Sequence, residues 1–439
     1  MKPVQSLWEQ IPYEAYSYSY PHKTAYRPLD PPVFLKDLWE SENRQALFLY
    51  IHIPFCEMRC GFCNLFTTTN PDDEIPRAYL QTLTRQANQV RQALGPTTFA
   101  RLAIGGGTPT YLTVNGLETL FDLVETIFEI NPHQIPVSVE TSPLTAEPEK
   151  LRLLRERGVD RISLGIQSFV ESEVAAAGRR QKNTEVFQAI DRISQAGFPT
   201  RNLDLIYGLP GQTVESWLTS LKTALTFSPE ELYLYPLYVR PLTGLGRQAK
   251  QWNDLRLNCY REGRALLLDA GYRQLSMRMF QSPTARAEKG PVYCCQEDGM
   301  IGLGCGARSY TQTLHYSNEY AVDAPAVRLI LADYLKQPDS AFELATYGIR
   351  LTEEDQRRRF VIQSLLQTSG LRLGAYRSRF GSTVFEDLPE LRSLIESDLA
   401  FHNDGFLQLS KYGLERSDLI GPWLYSPTVQ TLMETFERR

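Results

Sequence analysis

Along this chain, short β-rich runs alternate with stretches of helical period. The runs are ALFLYIHIP (46–54), RLAIGG (101–106), VSVETS (137–142), RISLGIQS (161–168), NLDLIYG (202–208) and ELYLYPLY (231–238). They are crowded with Ile, Leu, Val and Tyr, as parallel strands buried on both faces are. Between them lie amphipathic stretches at 75–94, 117–128, 147–158, 184–197 and 213–227, several closed by a glycine that can cap a helix. Six βα units in succession predict an α/β fold, either a parallel barrel or a doubly wound sheet.

The flanks differ. Residues 1–45 include YEAYSYSYPHKTAYRPLDPP and read as an extended Tyr- and Pro-rich arm packed over one end of a domain. Residues 251–345 are less regular, with a helix at 255–271 and then MIGLGCGARSYTQ (300–312). From about 346, helices lead to a hairpin with a turn at Asn403-Asp404-Gly405, which predicts a small helical, winged-helix-like module. The expected divisions are an arm (1–45), a barrel (46–250), an extension lining the substrate side (251–345) and a C-terminal helical domain (346–439).

Chemistry gathers at the carboxyl ends of the predicted strands. Cysteines follow the first, GGGTPT follows the second, Glu140 closes the third, Gln167 closes the fourth and Asp204 lies in the fifth. In a parallel barrel that end carries the active site. Composition narrows the picture. With 42% apolar and 22% charged residues among 439, wholesale disorder is excluded. A net charge of −5, and a tail segment KYGLERSD without a basic stripe, argue against nucleic acid as partner. No apolar run is long enough to span a bilayer, and the first residues carry no secretory h-region. A soluble, cytoplasmic protein is expected.

There are seven cysteines, an odd number that suits no disulfide framework. Cys56, Cys60 and Cys63 form a C-x3-C-x2-C loop. Three thiolates can cap three irons of a cubane whose full set is four, leaving one iron open to another molecule. The alternatives are a three-cysteine zinc site or plain buried thiols. None of the five histidines stands at a spacing that completes a zinc site with this loop.

The segment YIHIPFCEMRCGFCNLF (50–66) resembles the signature of radical S-adenosylmethionine enzymes, and within them the oxygen-independent coproporphyrinogen III dehydrogenase family. GGGTPT (105–110), SLGIQSF (163–169) and NLDLIYGLPGQT (202–213) match later motifs, and the tail from 351 resembles the family's C-terminal helical domain. The resemblance implies a partial (β/α)6 TIM-like barrel. It implies a 4Fe–4S cluster on Cys56, Cys60 and Cys63, and S-adenosylmethionine chelated at the open iron. Phe62 would lie near the adenine and Tyr50 would contact the cofactor. Gly106, Gly107 and Thr108 would hold the methionine end, where glycine permits close backbone approach. Glu140 would pair with a cationic group, Gln167 and Asp204 would bond ribose or methionine atoms, and Arg179 would bind a carboxylate. The matches fit sites for two S-adenosylmethionine molecules. Taken singly, these residues read as capped carboxylates and ordinary turns; their order on successive strands argues against coincidence. For Arg308 and Tyr310 a site role and a plain strand turn weigh equally.

The implied chemistry is reductive cleavage of S-adenosylmethionine to a 5′-deoxyadenosyl radical that abstracts hydrogen from a small-molecule substrate, with flavodoxin or ferredoxin as reducing partner. Three outcomes stay open. One is oxidative decarboxylation of a porphyrinogen, with Arg240, Arg278 and Arg308 as candidate carboxylate binders. Another is a class C radical methylase. The third is a haem-binding chaperone, whose haem ligand would fall near Tyr293-Cys294-Cys295. YCCQEDGM (293–300) and RPLTGL (240–245) depart from the decarboxylase pattern. Cys294, Cys295 and Cys305 read as idle thiols in preference to an auxiliary cluster, because adjacent side chains tend to point apart.

Overall fold

The computed structural model describes residues 4–10, 12–13, 19–247, 254–287 and 289–437. The middle of the Tyr-rich arm (14–18) and the expected boundary near 250 lie outside the described residues. The six expected strands form in order: β1 (Leu47–Ile53), β2 (Phe99–Gly106), β3 (Val137–Thr141), β4 (Arg161–Gln167), β5 (Thr200–Tyr207) and β6 (Glu231–Pro236). Each pairs in parallel with the next. Helices between them match the periodic stretches, for example Glu74–Leu94 and Asn183–Ala196, the latter stopped by Gly197 at φ 71°.

The sheet does not close on itself. Its order is linear, and both edges are extended to give thirteen strands. Beyond β6 lie two short antiparallel strands, Met279–Gln281 and Arg273–Gln274. Beyond β1 lies Met300–Leu303, parallel to it, and then Arg308–Tyr310, Leu314–Ser317 and Leu344–Arg350. The outermost strand is Arg27–Phe34 from the arm, paired with Leu344–Arg350. Its sequence, RPLDPPVF, explains the position: proline donates no ladder hydrogen bond and is tolerated at a sheet edge. The arm is thus part of the sheet, and Leu344–Arg350 carries the sheet across the expected boundary at 346.

In-register neighbours share a face of the sheet. One face holds Leu49, Ile51, Leu102, Ile104, Val139, Ile162, Leu164, Leu205 and Leu232, all essentially inaccessible to water. Each such side chain contributes about 1.5–3 kcal/mol on burial, so this face against the helices is the main source of barrel stability. The opposite face is polar. Tyr50 stands beside Ala103, Ser138 beside Arg161, Glu140 beside Ser163, Gly165 beside Asp204, and Asp204 beside Tyr233. This polar face forms the lumen.

The C-terminal domain has its own core, which includes Phe360, Val361, Tyr376, Leu391, Leu407 and Ile420. Helix Glu353–Leu365 opens with a capping box between Thr352 and Asp355. The predicted hairpin is present, Ala400–Asn403 and Phe406–Leu409, with left-handed Asp404 and Gly405 at the turn. Val4, Leu7, Tyr20, Ala25 and Tyr26 of the arm belong to this same core. Tyr20 OH donates to Asp355 Oδ1 (2.6 Å).

A buried ion pair joins the domain to the barrel extension. Arg278 Nη2 donates to Asp418 Oδ2 at 2.6 Å, with side chains 6% and 1% exposed. Removing one partner strands the other charge in the interior. Asp418→Ala is expected to cost about 3–5 kcal/mol in urea denaturation, and the Arg278→Met/Asp418→Leu double variant much less. Equal losses would show that the pair carries no coupling.

Candidate active site

The cysteine loop follows β1 and is fixed by backbone bonds at both ends. Short strand Phe55–Cys56 pairs with Thr68–Thr69, Thr68 N–H donates to Pro54 O (2.7 Å), and Cys63 N–H donates to Cys60 O (3.0 Å). All three cysteines are half-buried. Two of them accept hydrogen bonds from side chains brought by other strands. Thr108 Oγ1, after β2, donates to Cys56 Sγ (3.5 Å). Arg179 Nη1, after β4, donates to Cys60 Sγ (3.3 Å), while its Nη2 donates to Gly165 O (2.7 Å) and its Nε to Gln181 Oε1 (2.8 Å). Cys63 Sγ lies 3.9 Å from Thr67 Oγ1. Burial pushes the Cys56 thiol up to about 12, and Cys63 is raised for the same reason. Among the described residues, no three His, Cys, Asp or Glu side chains gather closely enough to hold one metal ion.

The glycine turn is a matter of space. Gly107 N–H donates to Ile53 O (2.8 Å) and Thr108 N–H to Phe55 O (2.7 Å), so the turn lies directly on the cysteine loop. A Cβ on Gly107 would stand 2.5 Å from Phe55 O and 2.9 Å from Cys56 Sγ. A Cβ on Gly105 would stand 2.9 Å from the Glu140 carboxyl. Gly106 has φ +115°, and its Cβ would meet the His52 ring at 2.5 Å. His52 is held by Phe66 O (2.9 Å) and sits 3.3 Å from Tyr50 OH; burial lowers it to about 4, so the ring is neutral.

Glu140 Oε2 accepts from Gly106 N–H (3.0 Å). Water reaches this side chain from the lumen, yet protein crowds the carboxyl. Desolvation pushes it up to about 7, with Asp204 adding and the Gly106 N–H opposing. Asp204 accepts from Ser163 Oγ (3.2 Å) and Asn202 Nδ2 (2.8 Å); burial raises it, against the pull of Arg161. Gln167 ends β4 at φ 72°, where the register slips, and its amide folds back toward Gly165. Phe62 packs into a small cluster of Ala177, Ile206, Leu209, Leu237 and Leu245. The structure therefore brings Tyr50, the glycines, Thr108, Glu140, Gln167, Arg179 and Asp204 to one end of the lumen, with Arg179 on a thiol.

Several residues of this site were not picked out from the sequence. Arg161 Nε donates to Glu231 Oε2 (2.6 Å) and its Nη1 to Ser138 Oγ (3.0 Å), and its guanidinium lies 5.7 Å from the Tyr233 ring centre. His52, Ser163, Asn202 and Gln181 hold the expected residues in place. Their signal was the polar residue at every second strand position. Cys294 and Cys295 behave otherwise than expected: both thiols donate to Gln296 Oε1 at 3.2 Å, so adjacent side chains here converge.

The chain matches the radical SAM superfamily over residues 50–224 and the HemN C-terminal domain over 351–415. It is 28% identical to the oxygen-independent coproporphyrinogen III oxidase of Salmonella typhimurium, covering 94% of this chain and 93% of that protein. It is 33% identical to the heme chaperone HemW of Escherichia coli, over 60% of this chain and 69% of that protein. The solved structure of Escherichia coli coproporphyrinogen III oxidase (HemN), described as a radical SAM enzyme, shares the fold: TM-score 0.78, 23% identity, 100% of both chains. No helix among the described residues is long and apolar enough to cross a membrane.

Gly106→Ala is expected to destabilise the protein by at least the 1–3 kcal/mol typical of a strained backbone, about 2 kcal/mol or more by urea denaturation. A change within about 0.5 kcal/mol, the range of neutral surface substitutions, would contradict the close contact with His52.

Proposed function

The chain belongs to the radical SAM superfamily, in the branch that carries a HemN C-terminal domain, and from that premise we propose an enzyme that holds a 4Fe–4S cluster on Cys56, Cys60 and Cys63. In this reading it cleaves S-adenosylmethionine there and abstracts hydrogen from a small molecule in the lumen. The observation that carries it is the loop of three separate thiols, two of them receiving N–H and O–H donors at the carboxyl ends of β2 and β4. Hydrogen-bonded sulfurs suit thiolates that ligate iron.

When bound, the cluster and S-adenosylmethionine supply a 5′-deoxyadenosyl radical; the protein supplies position and dryness. Gly106, Gly107 and Thr108 offer backbone at contact distance. Glu140 sets a carboxyl where a cationic group of the cofactor would pair with it, and Asp204 and Gln167 present further polar atoms. Arg161, Glu231 and Tyr233 fix the charge pattern beneath them. The arm is tied to the turn at 304–308: Lys23 Nζ donates to Gly306 O (2.5 Å), and Arg308 donates to Ser19. Of the three arginines considered for substrate carboxylates, Arg278 is committed to Asp418 and drops out. A reductant such as flavodoxin or ferredoxin completes the reading.

Haem binding is the second reading. Relatives named heme chaperone HemW support it, and so does His315, buried, held neutral by burial, and without a hydrogen-bond partner on either ring nitrogen among the described residues. A haem titration of the anaerobic protein decides it: a Soret shift lost in His315→Ala supports haem binding, and no shift removes it.

Anaerobic protein with dithionite and S-adenosylmethionine is expected to form 5′-deoxyadenosine, and the Cys60→Ala variant none. Absence of product from the fully reconstituted wild type would sink the enzyme reading. Coproporphyrinogen III is the first substrate to test, by carbon dioxide release. A pH dependence follows from Glu140. Its raised carboxyl is neutral below about 7 and ionised above, so binding of cationic S-adenosylmethionine should tighten as pH rises through that value. Glu140→Gln should flatten the profile; an unchanged profile by equilibrium dialysis would remove Glu140 from the site.

A further inference from the structure

Gly61, between Cys60 and Cys63, has both backbone groups occupied by other parts of the chain. Its N–H donates to Ala177 O (2.9 Å), and its carbonyl accepts from Leu245 N–H (2.7 Å). Three glycines from three segments meet there. A Cβ on Gly61 would stand 2.7 Å from Ala177 O, one on Gly178 3.1 Å from Gly61 N, and one on Gly244 3.0 Å from Gly61 Cα. Backbone thus packs on backbone, and any side chain would force the segments apart.

The segment reaching Gly61 from β6 is RPLTGLG (240–246). It is a built turn. Thr243, 1% exposed, donates from Oγ1 to Arg240 O (2.7 Å) and accepts there from Gly246 N–H (3.1 Å). Leu242 lies at φ +70°, a conformation a non-glycine residue holds only where its surroundings impose it. Leu245, 2% exposed, packs in the cluster that takes up Phe62. On the other side, helix Glu171–Ala176 leads to Ala177 and Arg179. It is anchored by Glu173, whose carboxylate accepts from Ser168 Oγ (2.6 Å), Gln212 Nε2 (2.9 Å) and Ser216 Oγ (2.5 Å).

We propose that residues 240–246 are a clamp that, with Ala177, fixes the cysteine loop so that the Gly61 amide is held on Ala177 O and kept from the thiols. This rests on the reading that Cys56, Cys60 and Cys63 hold the cluster. Its consequence is electrostatic. Hydrogen bonds to cluster sulfurs and exposure to water both favour the more negative, reduced state and raise the potential. Committing the Gly61 N–H to Ala177 O withholds one such donor. The donors at the sulfurs are the side chains of Thr108 and Arg179 at Cys56 and Cys60, with Thr67 Oγ1 and the Leu65 N–H at Cys63. The clamp therefore keeps the cluster a strong reductant, and Thr243, Gly244 and Leu245 are positioning residues that act through Gly61.

The test uses the reconstituted full chain and three variants. Thr243→Val removes the hydroxyl at equal shape, Thr243→Ser restores it, and Gly244→Ala presses on Gly61. Expected for Thr243→Val and Gly244→Ala are a positive shift of the cluster midpoint in an EPR-monitored redox titration and several-fold faster iron loss to a chelator. Thr243→Ser should stay near wild type. Wild-type midpoint, EPR signal and iron retention in folded Thr243→Val and Gly244→Ala would overturn the clamp. If only Gly244→Ala fails to fold, the Val/Ser pair at Thr243 decides alone. A Cys60→Ala variant that keeps the cluster overturns the ligand assignment instead, which separates the two failures.

Discussion

The site exists because side chains are missing at a few points where backbone must touch backbone. Gly105, Gly106 and Gly107 let the end of β2 lie against Glu140, His52 and Cys56, while Gly61, Gly178 and Gly244 let three loops meet beside Cys60. At each of these a methyl would fall within 3.1 Å of another atom, inside ordinary van der Waals contact. Protein interiors are too closely packed to absorb such overlaps without moving an element. Everything else at the site follows from that proximity: Thr108 and Arg179 reach thiol sulfurs only because the turns that carry them are already in contact with the cysteine loop.

The lumen solves a second problem, which is to keep charges inside a barrel. Its acids are raised by desolvation, and the positive charge of Arg161 opposes that rise while Glu231 adds to it at Asp204. Asp204 accepts from two side chains, Ser163 and Asn202, and feels the charge of Arg161; Glu140 accepts from one backbone N–H. The less satisfied carboxyl is the one nearer the glycine turn. A carboxyl in a concave site with one protein donor and access to water is the one an incoming cation can reach and pair with.

The residues that gather at the candidate site were legible in the sequence. A C-x3-C-x2-C loop, a triple glycine and single polar residues at strand ends occupy a few positions each, and their spacing survives without knowledge of the fold. The lumen was legible only in part. Arg161, Ser163 and Asn202 stand at alternate strand positions, but the strands' strong apolar content masked the alternation. Contacts between distant segments were not legible at all. Nothing local indicates that Leu245 reaches Gly61, that Arg278 is spent on Asp418, or that the arm supplies an edge strand to Leu344–Arg350. Arg179 shows the limit from the other side: its place at the site was anticipated, its thiol partner was not.

The arm and the C-terminal domain shape how the lumen can open. Arm residues Tyr20 and Tyr26 are inaccessible and share the C-terminal core, Tyr20 bonds Asp355 and Ser426, and Lys23 reaches into the barrel to Gly306. Lys23 is buried, and burial together with Arg308 lowers it to about 7, so part of its hold on Gly306 is a neutral amine's. The contacts on the C-terminal side are of a different kind: apolar burial plus the Arg278–Asp418 pair, which breaks only at the cost of a stranded charge. The weaker joint is therefore between Lys23 and the Gly304–Arg308 turn. Any motion that admits a substrate should run through that joint, with the strand Arg27–Phe34 and the C-terminal domain staying on the barrel.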